Sequence, residues 1–180
     1  MRNIYIVLTQ TNTVLSLIIK SYTHKEYSHV SIALDENLHE MYSFGRLNPY
    51  NPFIGGFVQE SPNYGTFKRF SKTKTKIFSL TVSEEQYNQI KKNIMKFSSD
   101  KKNYHFNTIG LFAVAFHLHV RRKKYFYCAE FVKYILEHSN VDIQLPELIK
   151  PQDFANIEGS KEIYTGVLHE YIPSLTSAKL

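Results

Sequence analysis

The chain reads as an α+β protein with a central antiparallel sheet packed by helices. Three observations carry that expectation. Short β-branched runs of alternating polarity open the chain and recur toward its end, amphipathic helical stretches lie between them, and no strand–helix–strand series links them. No internal repeat, low-complexity tract or linker interrupts the sequence, so residues 1–180 are expected to form one domain with a sizeable core.

The elements follow in order. Ile4–Leu8 is a short strand, and Thr13 to Tyr22 carries Val14, Leu15, Leu17, Ile18 and Ile19, a mostly buried helix or apolar segment. Ser28–Phe44 reads as a β-hairpin, because both arms alternate and Asp35-Glu36-Asn37 between them is polar turn chemistry. Asn48-Pro49-Tyr50-Asn51-Pro52 and Gly55-Gly56 read as a long loop rich in turn residues, with Phe53 and Phe57 available to pack. Lys76–Val82 is a strand. Ser83-Glu84-Glu85-Gln86 is a capping box opening a helix whose core face is Tyr87, Ile90, Ile94 and Phe97. Asn107–Val120 and Cys128–His138 are further helical stretches. Pro151 starts a short helical turn, since its fixed φ suits the first helical position, and Glu162–Ile172 is the terminal strand.

The only cysteine, Cys128, falls where the aromatic run Tyr125-Phe126-Tyr127 meets the helix bearing Phe131, Ile135 and Leu136 on its apolar face. The thiol therefore lies in a first helical turn, where unpaired N–H groups and the helix dipole favour a thiolate, the reactive form of cysteine. A buried, inert cysteine is the competing reading. Glu130 is expected to face solvent or cap the helix locally, and Tyr127 to belong to the core.

In the hairpin, His29, Ser31 and Ala33 share one face by alternation, while Leu38, Glu40 and Tyr42 share another. Pairing across Asp35–Asn37 would set Leu34 opposite Leu38, Ser31 near Met41 and Glu40 beside Ile32. That register brings His29 and Glu40 to one face only through a bulge.

His29 opening the strand His29-Val30-Ser31-Ile32-Ala33-Leu34, a polar residue on the next strand and a later cysteine at a helix start resemble the circularly permuted NlpC/P60 group of papain-like proteins. Tyr42-Ser43-Phe44-Gly45-Arg46, followed by Gly55-Gly56-Phe57-Val58-Gln59-Glu60, is similar to small Firmicute proteins of that group. The resemblance spans about His29 to Tyr164, and the order His29, Glu40, Cys128 is the permuted one. It implies a papain-like fold in permuted order. It also implies Cys128 as nucleophile, His29 as general base and Glu40 as the polar residue orienting the imidazole, with His39 the neighbouring alternative. The His29-to-Glu40 spacing is one residue shorter than the usual pattern. A thiol needs a base within hydrogen-bond reach, and that base works better when its other nitrogen is held. The backbone N–H of Cys128 would be one oxyanion donor. Glu60 has no assigned role, and a salt bridge to Arg46 is the expectation for it.

At 43% hydrophobic and 21% charged residues, the composition is that of an ordinary soluble globular protein. One cysteine allows no intramolecular disulfide. With neither a signal-peptide pattern nor a membrane-length apolar run, the expected location is cytoplasmic. The net charge of +6 comes largely from Lys68–Lys76 and Arg121-Arg122-Lys123-Lys124, read as a solvated edge strand or loop and a solvated turn. The second is placed to draw an anionic substrate toward the thiol. No zinc-finger spacing, RNP-like motif or phosphate loop accompanies them, so nucleic acid is not an expected partner. His117 and His119 lack a third ligand nearby, His24 and His105 stand singly in polar contexts, and no metal or cofactor is expected.

Two classes stay open. One is a cysteine amidase or peptidase acting on a small peptide-like or amide substrate through an acyl-thioester. The other is a catalytically silent binding domain. The lecithin–retinol acyltransferase-like relatives imply a third variant, thioesterase or acyltransferase chemistry on lipids, against which the lack of a hydrophobic C-terminal anchor stands.

Overall fold

In the computed structural model, which describes residues 1–11, 26–108, 110 and 122–173, the chain is mixed α+β. Strands β1 (Arg2–Gln10), β2 (His29–Ala33), β3 (Met41–Asn48), β4 (Asn51–Glu60), β5 (Lys74–Val82) and β8 (Ser160–Val167) build a sheet, while β6 (His105–Phe106) and β7 (Tyr125–Phe126) form a separate parallel pair. Helices α1 (Gly65–Arg69), α2 (Glu84–Ser99) and α3 (Cys128–Glu137) lie against the sheet. The sheet order is β4-β3-β2-β1-β5-β8, antiparallel throughout. Among the described residues, no helix is long and apolar enough to cross a membrane.

β1 is central, and its residues from Ile4 to Gln10 are all buried, as a strand covered on both faces must be. Alternation divides it. Ile4, Ile6 and Leu8 join Val30, Ile32 and Phe44 beneath α2 and α3. Tyr5 and Val7 join Ala33, Met41 and Ile77 on the opposite face, capped by Phe67 of α1 and by Leu168. The α2 capping box forms as expected: Gln86 N–H donates to Ser83 Oγ at 3.0 Å and Ser83 N–H to Gln86 Oε1 at 2.8 Å. Tyr87, Ile90, Ile94 and Phe97 are buried below it.

Three expectations change. Residues 48–56 are not a loop: β3 and β4 are joined by a tight turn at Pro49–Tyr50, with Asn48 opposite Asn51. Gly55 sits inside β4 because Phe106 packs there, and a Cβ on it would lie 2.8 Å from the ring. The Lys68–Lys76 region is not an edge: Lys68 and Arg69 end α1, and β5 runs between β1 and β8, with Lys76 Nζ 3.1 Å from Glu162 Oε2. The last strand is Ser160–Val167, shorter at its C-terminal end than expected. Thr13–Tyr22, His24, His117, His119, the side chain of Phe53 and most of Asn107–Val120 lie outside the described residues.

Candidate active site

Cys128 is the first residue of α3 and is buried. It is held there from both sides. The Glu130 carboxylate accepts from the Tyr127 N–H at 3.1 Å, so Glu130 caps the helix start. The Tyr127 hydroxyl donates to the Ile149 carbonyl at 2.9 Å within the core, which makes Tyr127 a structural residue as its sequence context suggests. Behind the thiol, Phe131 meets Phe97 edge-on at 5.2 Å between ring centroids and Phe44 at 5.4 Å. An aromatic pack of this kind fixes the helix against the sheet.

His29 opens β2, paired with Thr9 of β1. Its Nε2 lies 3.1 Å and 3.2 Å from the two carboxylate oxygens of Glu60. The Ser31 hydroxyl donates to Glu60 Oε2 at 2.5 Å. Register explains the grouping. Ala33 pairs with Met41, and Met41 with Glu60, so Glu60 shares the face of Ala33, and alternation adds Ser31 and His29. Gly45 makes the room: a Cβ there would stand 3.1 Å from Glu60 Oε1 and 3.4 Å from His29 Cε1.

The thiol and the imidazole come from opposite faces of the sheet and meet where the sheet opens. The ladder between β2 and β3 covers only Ile32–Tyr42 and Ala33–Met41. Toward His29 the strands are bridged instead by the Ser43 hydroxyl, which donates to the Val30 carbonyl at 2.7 Å. There Cys128 comes near enough to His29 to raise its pKa through charge and hydrogen bonding. With Nε2 taken by Glu60, Nδ1 is the nitrogen left for sulfur.

Burial pushes the His29 pKa down. The Glu60 carboxylate and the Cys128 sulfur more than reverse that, raising it from 6.5 to about 10. At neutral pH the imidazole therefore carries its proton. Phe67 of α1 stands beside it, ring centroids 6.4 Å apart, as an apolar wall. A cavity of about 140 Å³ adjoins the carboxylate, lined by Arg46, Val58, Glu60, Tyr64 and Phe67. Burial and the neighbouring Arg69 lower the pKa of Arg46.

The structure thus brings Cys128 and His29 together and leaves Glu40 out. Leu34 N–H donates to the Glu40 carbonyl, so the hairpin register is two residues away from the expected one. A shift of two preserves the faces, and Glu40 stays on the side opposite His29. Its carboxylate lies 4.0 Å from Lys91 Nζ of α2. His39 is exposed at the hairpin tip, 4.0 Å from Asp35. The carboxylate on the imidazole is Glu60. Sequence reasoning missed it because β4 was not recognised as a strand. The visible signal was the two-residue Pro49–Tyr50 turn: counting from it along two strands sets Glu60 on the face of Met41, and the register shift between Arg46 and Asn48 brings the two opposite each other. Compared with known proteins, the chain matches no family model, and no curated protein matches it in sequence.

Proposed function

We propose that this chain is a cysteine hydrolase of papain-like, circularly permuted NlpC/P60 type, an amidase or peptidase acting on small peptide-like substrates. The observation that carries the reading is the grouping of Cys128, His29 and Glu60, with His29 Nε2 on the carboxylate and the sulfur near enough to raise the imidazole pKa. Three elements far apart in sequence supply it. A cysteine–histidine–carboxylate line is the arrangement that thiol acyl-transfer requires.

The chemistry follows from the charges. Glu60 and sulfur both favour the imidazolium, and the form that reacts is the thiolate beside it. Sulfur attacks the substrate carbonyl and the S–C bond forms. The carbonyl oxygen becomes an oxyanion beside the first-turn N–H groups of α3. The imidazolium then passes its proton to the leaving amine as the C–N bond breaks. Neutral His29 next takes a proton from water as the water oxygen adds to the thioester carbonyl; the S–C bond then breaks, the acid leaves, and sulfur returns as thiolate beside the imidazolium. Ser31 and Glu60 hold the ring orientation throughout. A cytoplasmic setting belongs to the proposal, supported by the single free Cys128 in the chain.

Alkylation by iodoacetamide tests it. The unmodified chain should react rapidly at about pH 6, below the range where an ordinary thiol is ionised, and His29→Ala should be slower by on the order of 10²-fold. Slow, ordinary alkylation in both would overturn the enzyme reading and leave a binding domain on the same framework.

A further inference from the structure

The solvent face of α2 carries one sign of charge. Asn88, Lys91, Lys92, Met95, Lys96 and Ser99 recur at helical spacing and line one shallow patch of the surface. All of them are exposed, opposite the buried row Tyr87, Ile90, Ile94 and Phe97. An ordinary solvated helix mixes signs, because a glutamate four residues from a lysine steadies it. Here Lys92 and Lys96 stand four residues apart and repel, and between Asn88 and Asn103 the sole acidic residue is Asp100.

The charge continues past the helix. Lys101 and Lys102 follow at once in a short exposed turn. Lys124 Nζ lies 3.8 Å from Asp100 Oδ2 at the C-cap of α2, so the exposed run Arg122-Lys123-Lys124 adjoins the same end. Beyond that run, Glu130 caps α3 and Glu137 pairs with Lys133 at 3.6 Å, so both are engaged elsewhere. Lys91 leans toward Glu40, at 4.0 Å.

Met95 decides what the face fits. It is 60% exposed in the middle of the lysine stripe. Lysine stems are themselves apolar, so the stripe offers hydrocarbon at its centre and ammonium groups at its rim. That combination matches an anionic bilayer surface, where cations meet phosphate and apolar groups sink to the acyl boundary. Nucleic acid fits less well, since the stripe has no aromatic side chain on which a base could stack. The guanidinium of Arg122 already lies over the Tyr125 ring, at 3.7 Å.

We propose that the outer face of α2 docks on anionic lipid: the lysines hold phosphate-bearing headgroups and Met95 enters between them. Docking of this kind lies on the bilayer and needs no spanning helix. It uses no group of the candidate active site.

Co-sedimentation with vesicles of phosphatidylcholine, alone or with about one-third phosphatidylserine, tests it. The unmodified chain should bind the anionic vesicles on the order of 10²-fold more tightly at about 0.1 M salt, and less tightly as salt rises. Lys92→Glu with Lys96→Glu should lower that binding by on the order of 10²-fold. Lys68→Glu with Lys72→Glu makes the same change of net charge beside α1, on the opposite face of the sheet, and should cost no more than about threefold. Met95→Ser should cost about fivefold at unchanged charge. These positions are all exposed, so the melting temperatures should stay level. Equal binding to neutral and anionic vesicles would overturn the proposal. So would a loss from the α2 pair no greater than from the α1 pair, the mark of net charge alone, or unchanged binding by Met95→Ser. A fluorescent DNA duplex or single strand bound more tightly than the vesicles at the same salt would overturn it in favour of nucleic acid.

Discussion

The two halves of the candidate site are built by different forces. The thiol's half lies on the helix-covered face, where Cys128 is surrounded by an apolar core that includes Phe44, Phe97 and Phe131. The imidazole's half lies on the other face, where His29, Ser31 and Glu60 are joined by hydrogen bonds and charge over the space left by Gly45. Packing is strong, non-directional and insensitive to pH. A histidine–carboxylate pair is directional and follows protonation. Damage to the first half should therefore appear as lost stability, and damage to the second as altered reactivity in a protein that still folds.

The largest stability loss is expected on the packed side. Phe97 is 2% exposed and lies edge-on to Phe44, Phe126 and Phe131. Phe97→Ala should destabilise by about 3–5 kcal/mol in a denaturant titration, with the alkylation of the remaining folded protein little changed. A loss below ~1 kcal/mol would show that the aromatic pack does not position α3.

On the polar side, Glu60→Gln should fold but lose the charge that raises His29. The sign follows from linkage. The His29 pKa is raised to about 10 in the folded state against 6.5 as reference. Its stabilisation is whole below pH 6.5 and is lost as the pH climbs through 10. The unmodified chain should lose stability across that window, and Glu60→Gln should flatten the profile. The same variant should slow alkylation near neutral pH by on the order of tenfold or more. Identical pH–stability curves for the two would sink the assignment of Glu60 as the orienting carboxylate.

The smallest effect is expected at Glu40. Its 4.0 Å approach to Lys91 is a half-exposed ion pair, worth about 0–1 kcal/mol. Glu40→Gln should leave alkylation unchanged. A substantial loss there would reverse the comparison between the two carboxylates.

What the sequence disclosed divides along local and non-local lines. The start of α3 at Cys128 and the capping box at Ser83 are written in neighbouring residues, and both are found. His29 at the head of a strand was legible for the same reason. Glu60 was not, because Gly55 and Gly56 resemble turn residues until Phe106 is known to pack against Gly55 from a distant segment. Glu40 is the residue the family resemblance implies, as the polar position on the next strand, although alternation already sets it on the face opposite His29. Periodicity carries the right information there, and the resemblance points to the wrong carboxylate.

The β3–β4 hairpin also works as a ruler. Measured from the turn at Pro49–Tyr50, the length of β4 delivers Glu60 to Met41, with one register shift between Arg46 and Asn48 absorbed on the way. Removing a single residue between Phe57 and Glu60 would leave the composition almost intact yet swing the carboxylate through the sheet, away from the imidazole. Changes in the exposed tip at Tyr50 leave that distance untouched. Natural variation in this protein should therefore tolerate substitution along the hairpin far better than odd-numbered changes in its length.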